Sequence, residues 1–180
     1  NTNVVPVGED QVQHIELTRD IATRFNNRHG ETFVLPRAEM VKETARIMSL
    51  QNPEKKMSKS DENPNGCIFL LDTPDVIRKK IKNAITDSER SIVFNPERAG
   101  LYNLLTIFKI LKGKSEREIE DYFSDKGYGE LKAELAELVI NLVTPIQVKY
   151  KELMSDKAEL GKLMKKGAEQ AIEVAGKKVR

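Results

Sequence analysis

The first thirty residues place a short apolar strand, a glycine and a long amphipathic helix in that order, which constrains the fold more than any other feature. Residues 4–7 (VVPV) have the apolar character of a short buried strand that Gly8 ends. Glu9 and Asp10 then lie in the first turn of a helix, where the macrodipole favours acids, and Gly30 is placed to end that helix. A strand, a glycine and a helix in this order are the building block of a nucleotide-binding α/β domain.

Three further segments are predicted to be extended. Residues 33–35 (FVL) resemble a second short strand that Pro36 stops, and residues 45–50 (ARIMSL) are either a third strand or an extended loop. Residues 67–71 (CIFLL) form the last short extended run. Every strand that the sequence predicts therefore lies before residue 72.

From Asp72 onward the pattern is helical. Thr73 and Pro74 are placed to begin a helix over Pro74–Ala84, and a second helix is predicted over Ala99–Lys112, where Gly113 ends it. The capping-box spacing of Ser115-Glu116-Arg117-Glu118 starts another helix, a long apolar stripe over Leu131–Ile146 continues the helical pattern, and Ser155 is predicted to cap the last helix. The apolar stripes predicted to face the core in this part are Leu101, Leu104, Leu105, Phe108 and Leu111; Leu131, Leu135, Leu138, Leu142 and Ile146; and Leu160, Met164, Ala168, Ala171 and Ala175.

Charge and cysteine content narrow the function classes. Net charge is only +2, but residues 1–72 carry 9 Lys and Arg against 11 Asp and Glu, and residues 73–180 carry 21 against 17. The second part is therefore the better candidate for meeting a phosphate backbone. The single cysteine, Cys67, excludes an internal disulfide, fits a reduced cytoplasmic compartment and is predicted to be a small buried hydrophobe. No apolar run approaches the roughly 20 residues of a membrane span, and two histidines and one cysteine far apart indicate no metal site.

Residues 56–60 (KMSKS) form the first candidate functional site. Two lysines and two serines run into turn-forming residues at 61–66 (DENPNG). Ammonium groups can meet phosphate oxygens as point charges, and hydroxyl and backbone N–H groups add hydrogen bonds. The alternative interpretation is a solvated basic loop.

The second candidate site is the segment that begins at Gly8. Glycine permits close approach of a ligand, and the amides after it point outward at a helix N-terminus, where a phosphate or ribose is held. Asp10 can accept from ribose hydroxyls, and Gln11 offers both a donor and an acceptor to the ammonium or carboxylate of an amino acid. The alternative is an ordinary helix N-terminus.

Four segments of the chain together resemble the bacterial tryptophanyl-tRNA synthetases, members of the class I aminoacyl-tRNA synthetases. They are VPVGEDQVQHIELTRDIATRFN, ARIMSL followed shortly by KKMSKS, KKIKNAITDSE, and KGYGELKAELAELV. The string KMSKS is itself a signature of class I synthetases. Tyrosyl enzymes share the fold and a similar loop, but their first motif usually differs after VPVG.

The resemblance implies a fold and a division of the chain. The fold would be α/β and mostly helical, with the C-terminal part of a Rossmann-like nucleotide-binding domain followed by an all-α helical bundle. Residues 1–72 would belong to the catalytic domain and include the KMSKS loop. Residues 73–180 would form the helical region that binds tRNA and its anticodon.

The resemblance also implies roles for individual residues. Lys56 and Lys59 would be catalytic, stabilising charge as the tryptophan carboxylate attacks the α-phosphate of ATP and pyrophosphate leaves. Gln11 would contact the amino group of tryptophan. The positions implied to bind ATP are Gly8, Glu9, Asp10, Ile47, Lys56, Met57, Ser58, Lys59 and Ser60.

The partners that the resemblance implies are tryptophan, ATP with its Mg²⁺, tRNA(Trp) and a second copy of the enzyme, with no protein-bound metal and no membrane. The protein would be cytoplasmic. Several lysines of the helical part are candidates to meet tRNA backbone, and the alternative for each is a solvated helix face. These candidates are Lys79, Lys80, Lys82, Lys112 and Lys114.

The sequence departs from the family pattern near its beginning. The HIGH-like ATP signature is absent, and His14 does not replace it because it lies inside a predicted helix, where a surface position is expected. The chain opens with Asn1 rather than Met and its first strand begins almost at once, so a fragment that is inactive alone is expected. Two other interpretations stay open: a tyrosyl-tRNA synthetase relative, and a non-catalytic RNA-binding module on a synthetase scaffold.

Overall fold

The protein folds into two compact units in a computed structural model that describes residues 2–40 and 47–179, without the side chains of residues 178 and 179. Unit 1 comprises Asn1–Met40 and Gln147–Arg180, and unit 2 comprises Val41–Ile146. The functional division expected after residue 72 falls inside unit 2 and stays a prediction. The α/β and mostly helical fold class is confirmed.

Unit 1 carries a parallel strand pair. Strand β1 (Val4–Pro6) pairs with β2 (Arg37–Glu39), so that Val5 faces Ala38. Helix α1 (Val12–His29) connects them after a single 3₁₀ turn over Glu9–Gln11. This strand–turn–helix order confirms the sequence prediction, although the first turn is 3₁₀ rather than α-helical.

The predicted strand at residues 33–35 is wrong, because the second strand lies after Pro36. The side chain of Asn26 accepts hydrogen bonds from the N–H groups of Thr32 (3.0 Å) and Phe33 (2.9 Å) and donates to the Phe33 carbonyl (2.7 Å). The backbone of Phe33 is thereby satisfied by a side chain instead of a strand. Gly30 adopts a φ of +83° at the end of α1, as its predicted role requires.

Within residues 47–146, unit 2 contains four α-helices, and their ends follow local chemistry. They are α2 (Pro74–Lys82), α3 (Ala99–Lys112), α4 (Glu116–Tyr122) and the first part of α5 (Tyr128–Ser155). The predicted N-cap of α2, the glycine that ends α3 and the capping box of α4 are all confirmed.

An apolar core lies among the described residues of unit 2. Leu101, Leu104, Leu105 and Phe108 of α3 are all buried in it, and the Phe108 ring packs edge-to-face against Phe123 with centroids 5.2 Å apart. Burial of this kind stabilises by about 1.5–3 kcal/mol per large side chain. Cys67 is buried as predicted, and its burial raises the pKa of the thiol. Residues 67–71 form no strand.

Two predicted core stripes are only partly buried. Leu131 and Leu135 of α5 are buried, but Leu142 and Ile146 are about half exposed, at 54% and 46%. Helix α6 (Lys157–Val179) begins after Asp156, whose carboxylate accepts from the Glu159 N–H at 2.9 Å, rather than at a Ser155 cap. Its predicted inner face is largely exposed, since helical periodicity marks an apolar face without showing what covers it.

A buried ion pair connects α2 to the segment before it. Lys80 Nζ donates to Asp72 Oδ2 at 2.6 Å and to the Cys67 carbonyl at 2.8 Å, and it lies 4.6 Å from the Phe69 ring centre. Asp72 Oδ2 also accepts from the Phe69 N–H at 2.9 Å. A buried pair with several hydrogen bonds is costly to break on one side, because the remaining charge stays buried.

We predict that Asp72→Asn lowers the free energy of unfolding by about 3 kcal/mol, because it leaves the buried Lys80 ammonium without a counter-charge. Urea denaturation of the protein measures this loss. Asp75→Asn is the matched control, since Asp75 pairs with Arg78 at the surface and is 94% exposed. A loss from Asp72→Asn no larger than that from Asp75→Asn would contradict the assignment.

Candidate functional site

The KMSKS loop begins at a short hydrogen-bonded stem. Met48 and Lys56 face each other in an antiparallel bridge. Beside them, the Ser49 N–H donates to the Lys55 carbonyl at 2.8 Å. The segment predicted as a strand or extended loop thus contributes one short side of a stem; its residues 45 and 46 lie outside the described ranges.

Met57 closes the stem on its other side. Its N–H donates to the Ile47 carbonyl at 2.9 Å, and its side chain packs, half-buried, against the core of unit 2. Ile47, the position implied to lie by adenine, is also half-buried. Met57, the second residue of the KMSKS string, is therefore an apolar anchor, and Lys56 before it and Lys59 after it are exposed.

Residues 58–61 make a small turn that presents Lys59. The Ser58 carbonyl accepts from the Asp61 N–H at 3.2 Å, and Ser58 Oγ accepts from the Ser60 N–H at 3.2 Å. Lys59 is exposed on this turn and forms no salt bridge with any described residue. Its ammonium group is consequently available to an anion.

Ser49 ties the two ends of the loop together from inside. The side chain is 1% exposed, and its Oγ accepts from the N–H groups of Gln51 and Asn52, both at 3.3 Å. The same hydroxyl donates to Asp61 Oδ2 at 3.5 Å. Gly66 lies directly against it, since a Cβ on this glycine would come within 2.4 Å of Ser49 Oγ.

Asn103 of α3 is a contributor that the sequence analysis missed. It is 4% exposed, accepts from the Met48 N–H at 2.9 Å and donates to the Met48 carbonyl at 2.8 Å. The signal in the sequence is a lone amide in the apolar string LYNLL, where a polar group needs a buried partner. Nothing in the string itself identifies that partner.

The second candidate site begins where β1 ends. Gly8 has an ordinary φ of −74° and precedes the 3₁₀ turn, and its carbonyl accepts from the Gln11 N–H at 3.0 Å. Glu9, Asp10 and Gln11 are exposed, and the Gln11 amide donates to Asp10 Oδ2 at 3.2 Å. The backbone conformation at Gly8 is one that any residue adopts. Backbone strain therefore does not explain a glycine at this position.

The predicted site residues divide between the two units. Gly8 to Gln11 belong to unit 1, whereas Ile47 and the KMSKS loop belong to unit 2. His14, set aside as a catalytic candidate, is exposed on α1 as predicted. No group of three or more His, Cys, Asp or Glu side chains within residues 2–40 and 47–179 is placed to hold a metal ion.

A basic cavity of about 940 Å³ lies in unit 2 along α2 and α5. Four cations line it, of which Arg78 is paired with Glu137 and Lys132 donates to the Ala84 carbonyl at 2.8 Å. Burial lowers the pKa of the Lys132 ammonium. The other two, Lys82 and Lys112, are exposed and form no salt bridge with described residues.

The lysines named as tRNA contacts therefore differ in their surroundings. Lys80 is wrong as a candidate, because its ammonium is buried against Asp72 and cannot reach a phosphate backbone. Lys114 Nζ lies 3.8 Å from Glu118 Oε1, Lys79 is exposed on α2, and Lys82 and Lys112 line the basic cavity.

Among the helices of the described residues, none has the length and apolar character that crossing a membrane requires.

Residues 1–144 match the family model described as tRNA synthetases class I (W and Y). The chain belongs to this family. The match includes both candidate sites, and it does not separate tryptophanyl from tyrosyl members.

Individual relatives of the chain include several tryptophanyl enzymes. The chain is 51% identical to a tryptophan–tRNA ligase of Bacillus anthracis over 181 residues, covering 100% of this chain and 55% of the relative. The tryptophanyl-tRNA synthetase of Mycoplasma pneumoniae superposes with a TM-score of 0.84 at 38% identity, covering 98% of this chain and 55% of that protein. The enzyme of Campylobacter jejuni complexed with ADP and tryptophan superposes with a TM-score of 0.70 at 32% identity, covering 99% and 55%. The chain thus spans about half the length of these class I synthetases.

We predict that Gly66→Ala destabilises the protein by about 1–3 kcal/mol, because the added methyl group displaces the buried Ser49 hydroxyl from its partners. Thermal unfolding measures the loss of stability, and the rate of tryptic cleavage after Lys59 measures how readily the loop opens. Gly129→Ala in α5 is the control, since a Cβ there meets nothing within 4 Å and alanine favours a helix. Equal unfolding temperatures for the two variants would refute the role of Gly66.

Proposed function

We propose that the complete protein is a tryptophan–tRNA ligase. In its first step a carboxylate oxygen of tryptophan attacks the α-phosphorus of ATP, which forms tryptophanyl-adenylate and releases pyrophosphate. In its second step a ribose hydroxyl at the end of tRNA(Trp) attacks the activated carbonyl carbon and AMP leaves. The named tryptophanyl relatives and the motif matches in both units support this proposal.

The observation that carries the proposal is the arrangement of the KMSKS loop. Its stem is held by backbone hydrogen bonds and by the half-buried Met57, while Lys56 and Lys59 are exposed on either side of that anchor. Phosphoryl-type chemistry at ATP needs positioned positive charge more than a nucleophile or base from the protein. The lysines would stabilise the charge that builds up on the departing pyrophosphate.

The remaining roles are proposed residue by residue. The ATP phosphates and ribose would meet Gly8, Glu9 and Asp10, where the chain turns from β1 into α1. Gln11 would hold the tryptophan amino group, and Ile47 would lie against adenine. Ser58 and Ser60 would add hydroxyl and amide donors to phosphate oxygens, and Mg²⁺ would arrive with ATP as part of the substrate.

Partners and location follow from the same proposal. The enzyme would act as a homodimer in the cytoplasm, and its helical region would meet tRNA(Trp). A tyrosyl-tRNA synthetase is the enzyme alternative, because the family model includes both specificities. A non-catalytic RNA-binding module is the alternative from another class, and exposed lysines on an ordered loop favour the enzyme over it.

Pyrophosphate exchange tests the substrate directly. The complete protein is incubated with ATP and labelled pyrophosphate, with tryptophan and tyrosine in separate reactions, and the 180-residue chain is run in parallel. We expect exchange with tryptophan alone and none from the short chain, which spans about half of its relatives. Exchange with tyrosine instead would favour the tyrosyl alternative, and silence with both would favour the RNA-binding module.

We predict that Lys59→Ala lowers kcat for tryptophan-dependent exchange by about 100-fold, because it removes a cation that stabilises charge in the transition state. Affinity for tryptophan should stay within about twofold, since a ground-state contact is not lost. Lys55→Ala is the matched control, because Lys55 is also exposed and contributes only its backbone to the stem. Equal losses of rate and affinity in Lys59→Ala, or equal rates in both variants, would count against this role.

We predict that the Lys82→Ala/Lys112→Ala double variant binds tRNA(Trp) more weakly and with a smaller dependence on salt. Each phosphate contact adds close to one unit to the slope of log affinity against log salt, so the slope should fall by up to about 2. The control is Lys149→Ala/Lys177→Ala, whose lysines pair with Glu152 and Glu173 on exposed helix faces. An unchanged slope in the Lys82→Ala/Lys112→Ala variant would show that the lysines of the cavity do not contact tRNA.

A further inference from the structure

Asn103 is a polar residue in an otherwise apolar environment. Its neighbours Leu101, Leu104 and Leu105 are fully buried, and Asn103 itself is 4% exposed. An amide at such a position loses its hydration, so it destabilises the fold unless its hydrogen-bonding groups find partners. Both partners of Asn103 belong to one residue far away in sequence, Met48.

The pairing with Met48 has the geometry of a neighbouring strand. Asn103 Oδ1 accepts from the Met48 N–H at 2.9 Å, and Asn103 Nδ2 donates to the Met48 carbonyl at 2.8 Å. The two bonds fix which end of the amide carries oxygen, since only that orientation satisfies both groups. The side chain therefore replaces the second strand that the backbone of Met48 lacks on this side.

Met48 connects the Asn103 side chain to the KMSKS loop. On its other side it bridges Lys56, so the helix side chain, Met48 and Lys56 form a continuous row. The adjacent bond from the Met57 N–H to the Ile47 carbonyl extends that row by one residue. The position of Lys56 relative to the buried core of α3 is thus set by three consecutive contacts.

We infer that Asn103 is a positioning residue for Lys56 and Lys59, holding the stem of the loop so that both ammonium groups reach the polyphosphate. The inference rests on the proposed function, because it assigns the loop lysines to the activation step. Displacement of a catalytic group by about 1 Å can lower a rate by roughly 100-fold, even when the cause lies far from the chemistry.

Asn103→Leu in the complete enzyme tests this inference. Leucine has a similar size and fits the apolar surroundings, but it removes both bonds to Met48. We expect kcat for tryptophan-dependent pyrophosphate exchange to fall about 10- to 100-fold, with tryptophan affinity measured without ATP changed by less than about twofold. Phe108→Leu is the control, because Phe108 is buried in the same helix, packs edge-to-face against Phe123 and makes no hydrogen bond to Met48.

A double-mutant cycle separates positioning from general destabilisation. If Asn103 acts through the lysine, Asn103→Leu should cost less than about threefold in kcat once Lys59→Ala is present. The same loss in both backgrounds, or a loss matched by Phe108→Leu at equal folded fraction, would overturn the inference. A Lys59→Ala variant with full activity would instead remove the proposed role of the loop, so the two failures are distinguishable.

A second variant covers the case in which Asn103→Leu does not fold. Asn103→Asp keeps an acceptor for the Met48 N–H but replaces the donor to the Met48 carbonyl with a carboxylate oxygen. We expect the same fall in kcat and the same loss of effect in the Lys59→Ala background. Additive losses in this second cycle would also overturn the inference.

Discussion

The pairing of the Asn103 amide with the backbone of Met48 is the constraint on which the candidate site in unit 2 depends. It joins the buried face of α3 to a segment with no sheet to complete its hydrogen bonds. A buried backbone N–H or carbonyl left unpaired here would lower the free energy of unfolding by about 1–3 kcal/mol. The loop can therefore be irregular in sequence and shape while its base stays fixed to the core.

The site combines fixed backbone with exposed charge. Met57 and Ser49 hold the loop from within, whereas Lys56 and Lys59 project from it. This division suits a reaction that depends on placing positive charge against a polyphosphate, because mobile side chains on a fixed stem can follow charge as it moves. The same arrangement explains why a small residue is required at Gly66, where the stem and the far end of the loop meet.

Local patterns in the sequence predicted the elements whose signals are local. The strand at residues 4–6, the Gly113 end of α3 and the Ser115–Glu118 capping box depend on a few adjacent residues, and each is present. The second strand was misplaced because Asn26 satisfies the backbone of Phe33, a contact across seven positions that no periodicity encodes. The KMSKS string was recognisable as a motif, but its support by Asn103 spans 55 positions and could not be read from spacing.

Burial was the least predictable property for the same physical reason. Lys80 resembled its exposed neighbours in sequence, yet it is buried because Asp72 and the Cys67 carbonyl lie within reach of its ammonium group. Conversely, Leu142 and Ile146 continue an apolar stripe that is buried only at its beginning. A stripe shows which residues share a face, whereas burial depends on the elements that pack against it.

Residue-resolved amide hydrogen exchange of the complete protein tests the central claim, a fixed stem that carries an exposed lysine turn. The account predicts slow exchange at Met48, Ser49 and Met57, whose N–H groups bond to Asn103, Lys55 and Ile47, and fast exchange at Lys59. Uniformly fast exchange across residues 47–61 would contradict it, because the stem would then open as freely as the turn it is said to position.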